Sequence, residues 1–250
     1  MLFSEFSLYI LVYIILIYVI CGVVKGSIGF GMPTVSISLL AFLIDVKTII
    51  ALILIPTLII NIYQLSKGGN FKKIIYETKY FLFFSVIFIY PGAYFLKISN
   101  SQFILIFIAL MLITNSILYL TSFKLKIPYY DRPLIQISVG AINGIIIGMT
   151  SIYTMPLVFL LQSLKYNKDT TIQFLGIAFF LYPLAQLLAF SNFELISIAL
   201  IKDSLLVMIP IFLGLFIGQK IRNHISENLF QKMFYLMLLF MSCVILINLI

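Results

Sequence analysis

Apolar residues fill most of this chain in long runs, and polar residues mark where the runs stop. The runs cover about 8–24, 28–44, 48–66, 80–97, 102–121, 134–149, 152–164, 171–191, 203–219 and 229–249. A helix needs roughly 17–25 apolar residues to cross a bilayer, and most of these runs are near that length. A membrane barrel would instead show short segments in which apolar and polar residues alternate. The runs are continuous, so the pattern predicts an all-α, polytopic helical membrane protein. Short polar loops join the segments. SKGGNFKKIIYETK (66–79) is the longest charged loop, and KLKIPYYDRP (124–133) marks the middle of the chain.

The pattern also repeats. CGVVKGSIGFGMPT (21–34) sets Lys25, Gly26, Gly29, Gly31 and Pro33 between two apolar runs, where glycine and proline weaken a helix. GIIIGMTSIYTMPLVFLL (144–161) matches the glycine-rich stretch that begins at Gly26. KISNSQFILIF (97–107) is echoed by HISENLFQKMF (224–234), and each follows a glycine-containing helix, FIYPGAYFL and IPIFLGLFIGQ. Two repeats result, 1–127 and 128–250, together one integral membrane domain. Each is a glycine-rich broken hairpin followed by three spanning helices. A hairpin plus three crossings is odd, so the halves insert with opposite orientation. Inverted repeats with breaks in matching positions mark many secondary transporters.

Charge sharpens the topology. Only 10% of the 250 residues are charged, mean hydropathy is +1.19, and the formal net charge is +8. In a soluble chain that balance would suggest nucleic acid. Here cations filling cytoplasmic loops explain it, and no nucleic-acid partner is implied. With two hairpins, one face holds Lys67, Lys72, Lys73, Lys79, Lys124, Lys126, Arg132, Lys165, Lys168, Lys220, Arg222 and Lys232. The other holds Lys47, Lys97 and Lys202. If each hairpin were a single crossing, the bias would vanish. The count therefore favours hairpins, with both termini outside the cytoplasm, and leaves their depth open. The first run lacks a cationic region before it, where Glu5 is the only charge, and lacks a small-residue cleavage site, so it reads as a retained span. Cys21 and Cys243 lie in apolar segments and form neither a metal spacing nor a disulfide framework.

Candidate chemistry follows from the breaks. Backbone that leaves a helix at membrane depth must face protein or a wet cavity. Free N–H groups at helix ends bind anions. The first hairpin offers Lys25, Gly26, Gly29, Phe30, Gly31 and Thr34, followed by Ser36 and Ser38. The second offers Asn143, Gly144, Gly148, Thr150 and Ser151. Asn61, Gln64 and Gln173 are polar residues embedded in other helices, as are Asn115 and Gln186, and some of these bridge helices. Two readings of the glycines stand: substrate approach to the backbone, or close helix packing. Two readings of Lys25 stand as well. Beside helix N-termini it suits an anionic substrate; at the end of a full-length hairpin it snorkels to the interface. The internal match pairs Lys25 with Asn143. Pro56, Pro91, Pro183 and Pro210 are expected to kink their helices. All eight acids, Asp203 included, map to segment ends or loops, which argues against a buried carboxylate relay.

The stretch KGSIGFGMPTVSISLLAFLIDVKTIIALILIPTLIINIYQLSKGG resembles the first-half signature of the sulfite exporter TauE/SafE family. GAINGIIIGMTSIYTMPLVFLLQSLKYNKDTTIQFLGIAFF resembles its second-half counterpart. Met32 and Pro33 stand where glycine is common in that pattern, and Ser38 near where proline is usual. The resemblance implies a bacterial-type, multi-pass inner-membrane transporter of two repeats for small sulfur-containing anions such as sulfite or organosulfonates. Partners are then the anionic substrate and the lipid bilayer; a homo-oligomer is compatible with it. The expected mechanism is a secondary carrier with its site between the two hairpins and no cofactor. The alternatives are an anion channel and a non-transporting scaffold. An enzyme is not expected, because His224 lies in a charged loop and no paired-carboxylate or Cys/His constellation exists; without a phosphate-binding loop, ATP-driven transport would need another subunit.

Overall fold

A backbone with no water to bond must satisfy its own polar groups, and in continuous apolar runs the helix is the local way to do so. The computed structural model describes residues 7–66, 69–123, 126–222, 224 and 226–249, the side chains of Tyr63, Lys168 and Glu227 excepted. Glu5, Lys67 and Lys124, which entered the charge pattern, lie outside the described residues. The described chain is all helix: α1 (Leu8–Ile28), α2 (Met32–Leu40), α3 (Val46–Leu65), α4 (Phe71–Ile98), α5 (Ser101–Leu120), α6 (Pro133–Thr150), α7 (Leu157–Leu164), α8 (Lys168–Asn192), α9 (Ile198–Leu206), α10 (Met208–Arg222) and α11 (Glu227–Leu249). Polar side chains fix several starts. Asn100 accepts the Phe103 amide at 2.6 Å, Asn167 that of Thr170 at 2.9 Å, and Ser197 that of Leu200 at 3.2 Å.

Among the described residues, seven helical stretches are long and apolar enough to cross a membrane, with α9 and α10 forming one of them. Their outward faces carry exposed apolar residues such as Leu188, Ile209, Phe216 and Phe240. Surfaces of that kind suit lipid, not water. The chain is a multi-pass helical membrane protein.

Three expectations change in detail. The return limbs are shorter than the apolar runs suggest: α2 has nine residues and α7 has eight. At 1.5 Å per residue that is about 12–14 Å, under half of the roughly 30 Å hydrocarbon thickness. The run at 203–219 is two helices broken at Val207. Pro210 supplies the reason: it has no amide for the Leu206 carbonyl, and it sits in the first turn of α10, where that amide is not needed. Asp203 is the third. The helix begins five residues earlier than the apolar run, so this carboxylate sits inside the span and is 1% exposed. The sequence argument that every acid lies at an end or in a loop does not hold for Asp203.

The chain forms two compact units. Unit 1 comprises 1–56, 100–123 and 195–250; unit 2 comprises 57–99 and 124–194. Each draws on both halves of the sequence.

In unit 1, α1 lies against α10 with the two helices running in the same direction. A Cβ on Gly22 would strike Ile211 and Leu215 of α10, and one on Gly26 would strike Leu215 and Gln219. Reciprocally, Gly214 faces Val19 of α1 and Gly218 faces Val23. Ser27 closes this seam by donating to the Gly218 carbonyl at 3.0 Å. α5 and α11 pair in opposite directions. Gln102, at the start of α5, donates to Leu249 at 3.0 Å, and Tyr119, at its end, donates to Gln231 at 2.8 Å and stacks on Tyr235.

In unit 2, α6 runs along α4 by the same device. Gly140, Gly144 and Gly148 meet the carbonyl oxygens of Phe81, Ser85 and Ile89, and Gly92 meets that of Ile145.

Candidate functional site

In unit 1 the candidate residues gather at the turn between α1 and α2. α1 ends on Gly29 at φ 85°, whose amide bonds the Lys25 carbonyl at 2.9 Å. α2 starts from Gly31 at φ 93°, with Pro33 in its first turn. Both glycines occupy the left-handed region that side chains disfavour, so the turn needs them. Phe30 stands between them with its ring edge-to-face on Phe234, 6.1 Å between centres. Thr34 donates to the Gly31 carbonyl at 2.6 Å, and Ser38 to that of Thr34 at 2.8 Å.

Lys25 is 6% exposed, and its ammonium donates to the Gly29 carbonyl at 2.7 Å. It therefore sits at a helix C-terminus, where orphan carbonyls and the negative dipole end favour a cation. That corrects the expectation of a lysine set among helix N-termini. The hairpin tip lies by Phe234, near the start of α11, because a Cβ on Gly31 would strike that ring. The return end lies far from it: Asp45 accepts the Ser101 hydroxyl at the start of α5. Tyr18 of α1 and Ser36 of α2 are fully buried with their hydroxyls facing each other, and neither has another hydrogen-bond partner among the described residues.

In unit 2 the candidates Asn143, Thr150 and Ser151 join a buried polar network. The Asn143 amide donates to Ser85 at 3.0 Å and to Tyr182 at 3.1 Å. Its carbonyl oxygen has no partner among the described residues. Two hydroxyls can donate as readily as accept, so turning the amide over would leave the NH2 end unpaired instead. Two turns on, Gln186 donates to the Ile147 carbonyl and to Ser151, both at 2.9 Å, and accepts the Tyr153 hydroxyl at 2.8 Å. Thr150 accepts the Ile152 amide at 3.1 Å. Ser151 caps α6 at φ 55°, as Gly29 caps α1. The edge-to-face rings of Tyr153 and Tyr182 connect the two parts of the network.

The other candidates do different work. Gly26, Gly144 and Gly148 do provide close approach, but to a neighbouring helix backbone. Asn61 donates within its own helix to the Thr57 carbonyl at 2.6 Å. Gln64 donates to Ile172 at 3.3 Å, and Gln173 accepts the Asn70 amide at 2.7 Å, so these two brace the end of α3 and the start of α4 against α8. Sequence reading did not put Tyr18, Ser85, Tyr153, Tyr182 or Gln186 among the site residues. Ser85 had a faint signal, since with Gly92 it forms a small-residue stripe at helical spacing. The tyrosines carry no such signal in a chain with 15 of them.

The arrangement supplies neutral hydroxyl and amide donors in an apolar surround, with no His/Cys/Asp/Glu cluster able to hold a metal among the described residues. No curated protein and no solved structure matches the chain. The family pattern of the sulfite exporter TauE/SafE, a family of membrane transporters, matches residues 14–245, nearly the whole length, and the chain belongs to that family.

Proposed function

We propose that the protein is a secondary carrier for a small sulfur-containing anion, such as sulfite or an organosulfonate, recognised at its two broken hairpins. One observation carries the reading. On α6 the buried Asn143 carbonyl oxygen lacks a partner among the described residues, and on α1 the buried Tyr18 hydroxyl has only Ser36 beside it. Buried polar groups in native proteins are almost always bonded, and exceptions ask for a ligand. The antiparallel pairing of α5 with α11, which carry the matched sequences, supports inverted repeats. The cation bias supports termini outside the cytoplasm and an inner-membrane location.

The test is uptake of labelled sulfite, sulfate and a small organosulfonate into liposomes holding the purified protein. Wild type transports at least one selectively and saturably, with counterflow. Asn143→Leu lowers its rate by about tenfold or more, as loss of one buried hydrogen bond to a charged ligand would. Transport of none of the three, or an Asn143→Leu rate equal to wild type in a folded protein, would sink the assignment. Linear, non-saturating flux without counterflow would identify a channel.

A further inference from the structure

A second feature of unit 2 has none of the candidate site residues in its lining. Where α4, α6 and α8 begin, a half-open cleft of about 650 Å³ is walled by Lys73, Lys79 and Lys165, with Glu77, Gln136 and Tyr166. Its charge is not balanced internally. Tyr166 donates to the Glu77 carboxylate at 2.6 Å, and Gln136 donates to the Glu77 backbone carbonyl at 2.7 Å. Burial, then the adjacent Glu77, hold the Tyr166 phenol well above its ordinary pKa, so it stays a neutral donor. That leaves Asp131 as the one further acid on the wall.

The lysines lean on rings. The Lys73 ammonium lies 5.9 Å from the centre of the Tyr166 ring; that of Lys79 lies 5.2 Å from Tyr76 and 5.1 Å from Tyr80. Ring contacts position an ammonium without neutralising it. Lys165 holds its place at φ 51°, a left-handed cap that glycine would fill without strain. The starts of α4 and α6 and the loop before α8 line the same cleft, so helix dipoles add positive potential there.

Size narrows the occupant. Cavities of about 300–1,000 Å³ suit ligands of drug size, far larger than a single oxyanion. Ammonium groups act as point charges toward phosphate, and basic pockets at helix ends take phosphate-bearing headgroups. We infer that this cleft is a binding site for a phosphate ester on a body of glycerol to nucleoside size, separate from the transport site. A lipid headgroup or a soluble phosphate compound presents that chemistry.

The experiment uses full-length protein in detergent micelles and follows its thermal unfolding. One arm adds phosphatidylglycerol, with phosphatidylcholine as control; the other adds inorganic pyrophosphate. The same titrations are run on the double variant Lys79→Gln, Lys165→Gln and on Lys79→Arg, Lys165→Arg. Stabilisation of wild type that weakens about tenfold in the glutamine variant and persists in the arginine variant supports the site. Response to the lipid alone assigns a headgroup; response to pyrophosphate alone assigns a soluble phosphate compound. No stabilisation by either probe, equal stabilisation of the glutamine variant, or displacement by sulfite at equal concentration would overturn it. Lys79 and Lys165 are exposed, so the unliganded melting point should not move.

Discussion

A Cβ added at Gly26 would strike the Leu215 carbonyl, whereas one added at Gly29 would meet nothing within 4 Å. The two positions therefore fail differently. Gly26→Ala forces α1 away from a helix backbone that cannot rotate aside, and should cost about 1–3 kcal/mol. Gly29→Ala strains only its own left-handed backbone, about 1–2 kcal/mol, and Gly29→Asn should recover part of that loss. Melting midpoints of the three variants in detergent check the order. Equal losses for Gly29→Ala and Gly29→Asn would reject the strain account. The sequence announced glycines that matter but not which kind each was. Spacing of three or four residues is shared by a packing seam and a backbone-lined site. Only the neighbour that faces each glycine separates them, and that neighbour lies at the far end of the sequence, as Val19 against Gly214 and Val23 against Gly218 show. Lys25 was legible as a buried cation for the opposite reason, because lysine is rare inside an apolar run. Its partner, a carbonyl four residues on, left no trace in side-chain pattern.

At the level of elements, many boundaries followed the apolar runs, but α4 starts at Phe71, so most of the charged stretch 66–79 forms its first turns and is not a loop. Others shifted where backbone chemistry intervened. Pro56 in α3 is one such place. It offers no amide to the Leu52 carbonyl four residues earlier, and the Ser204 hydroxyl of α9 donates to that same oxygen. The serine repairs the hydrogen bond that the proline removes. Ser204→Ala should then cost about 1–3 kcal/mol, the penalty of an unsatisfied buried acceptor. The same change made together with Pro56→Ala should cost markedly less, since the restored amide can take the serine's place. A double-mutant cycle on unfolding midpoints measures the coupling; additive losses would mean that the serine is not covering for the proline.

For the whole molecule, the polar loops were readable as two faces of unequal charge, and that reading makes a claim about the ends of the chain. Reporter fusions at residue 1 and residue 250 should both report a non-cytoplasmic location, and a fusion at Asn70, just before α4, should report a cytoplasmic one. Termini on opposite sides would overturn the hairpin count. What the sequence could not display is the exchange of partners. The sequence reads as two halves, 1–127 and 128–250, yet α1 of the first half packs on α10 of the second, and α6 of the second packs on α4 of the first. Nothing local in either half records that swap, because each seam is made of small residues that would pack on any similar groove.

The swap has a bearing on biosynthesis. A ribosome delivers α1 to the membrane long before it has made α10, so the groove of Gly22 and Gly26 must wait in lipid for nearly the whole of translation. The same delay separates α5 from α11. Unit 1 cannot be completed until the last segment emerges, and a truncated chain would leave its earliest helix without a mate. Quality control in the membrane would then read the loss of the final third as damage to the first helix.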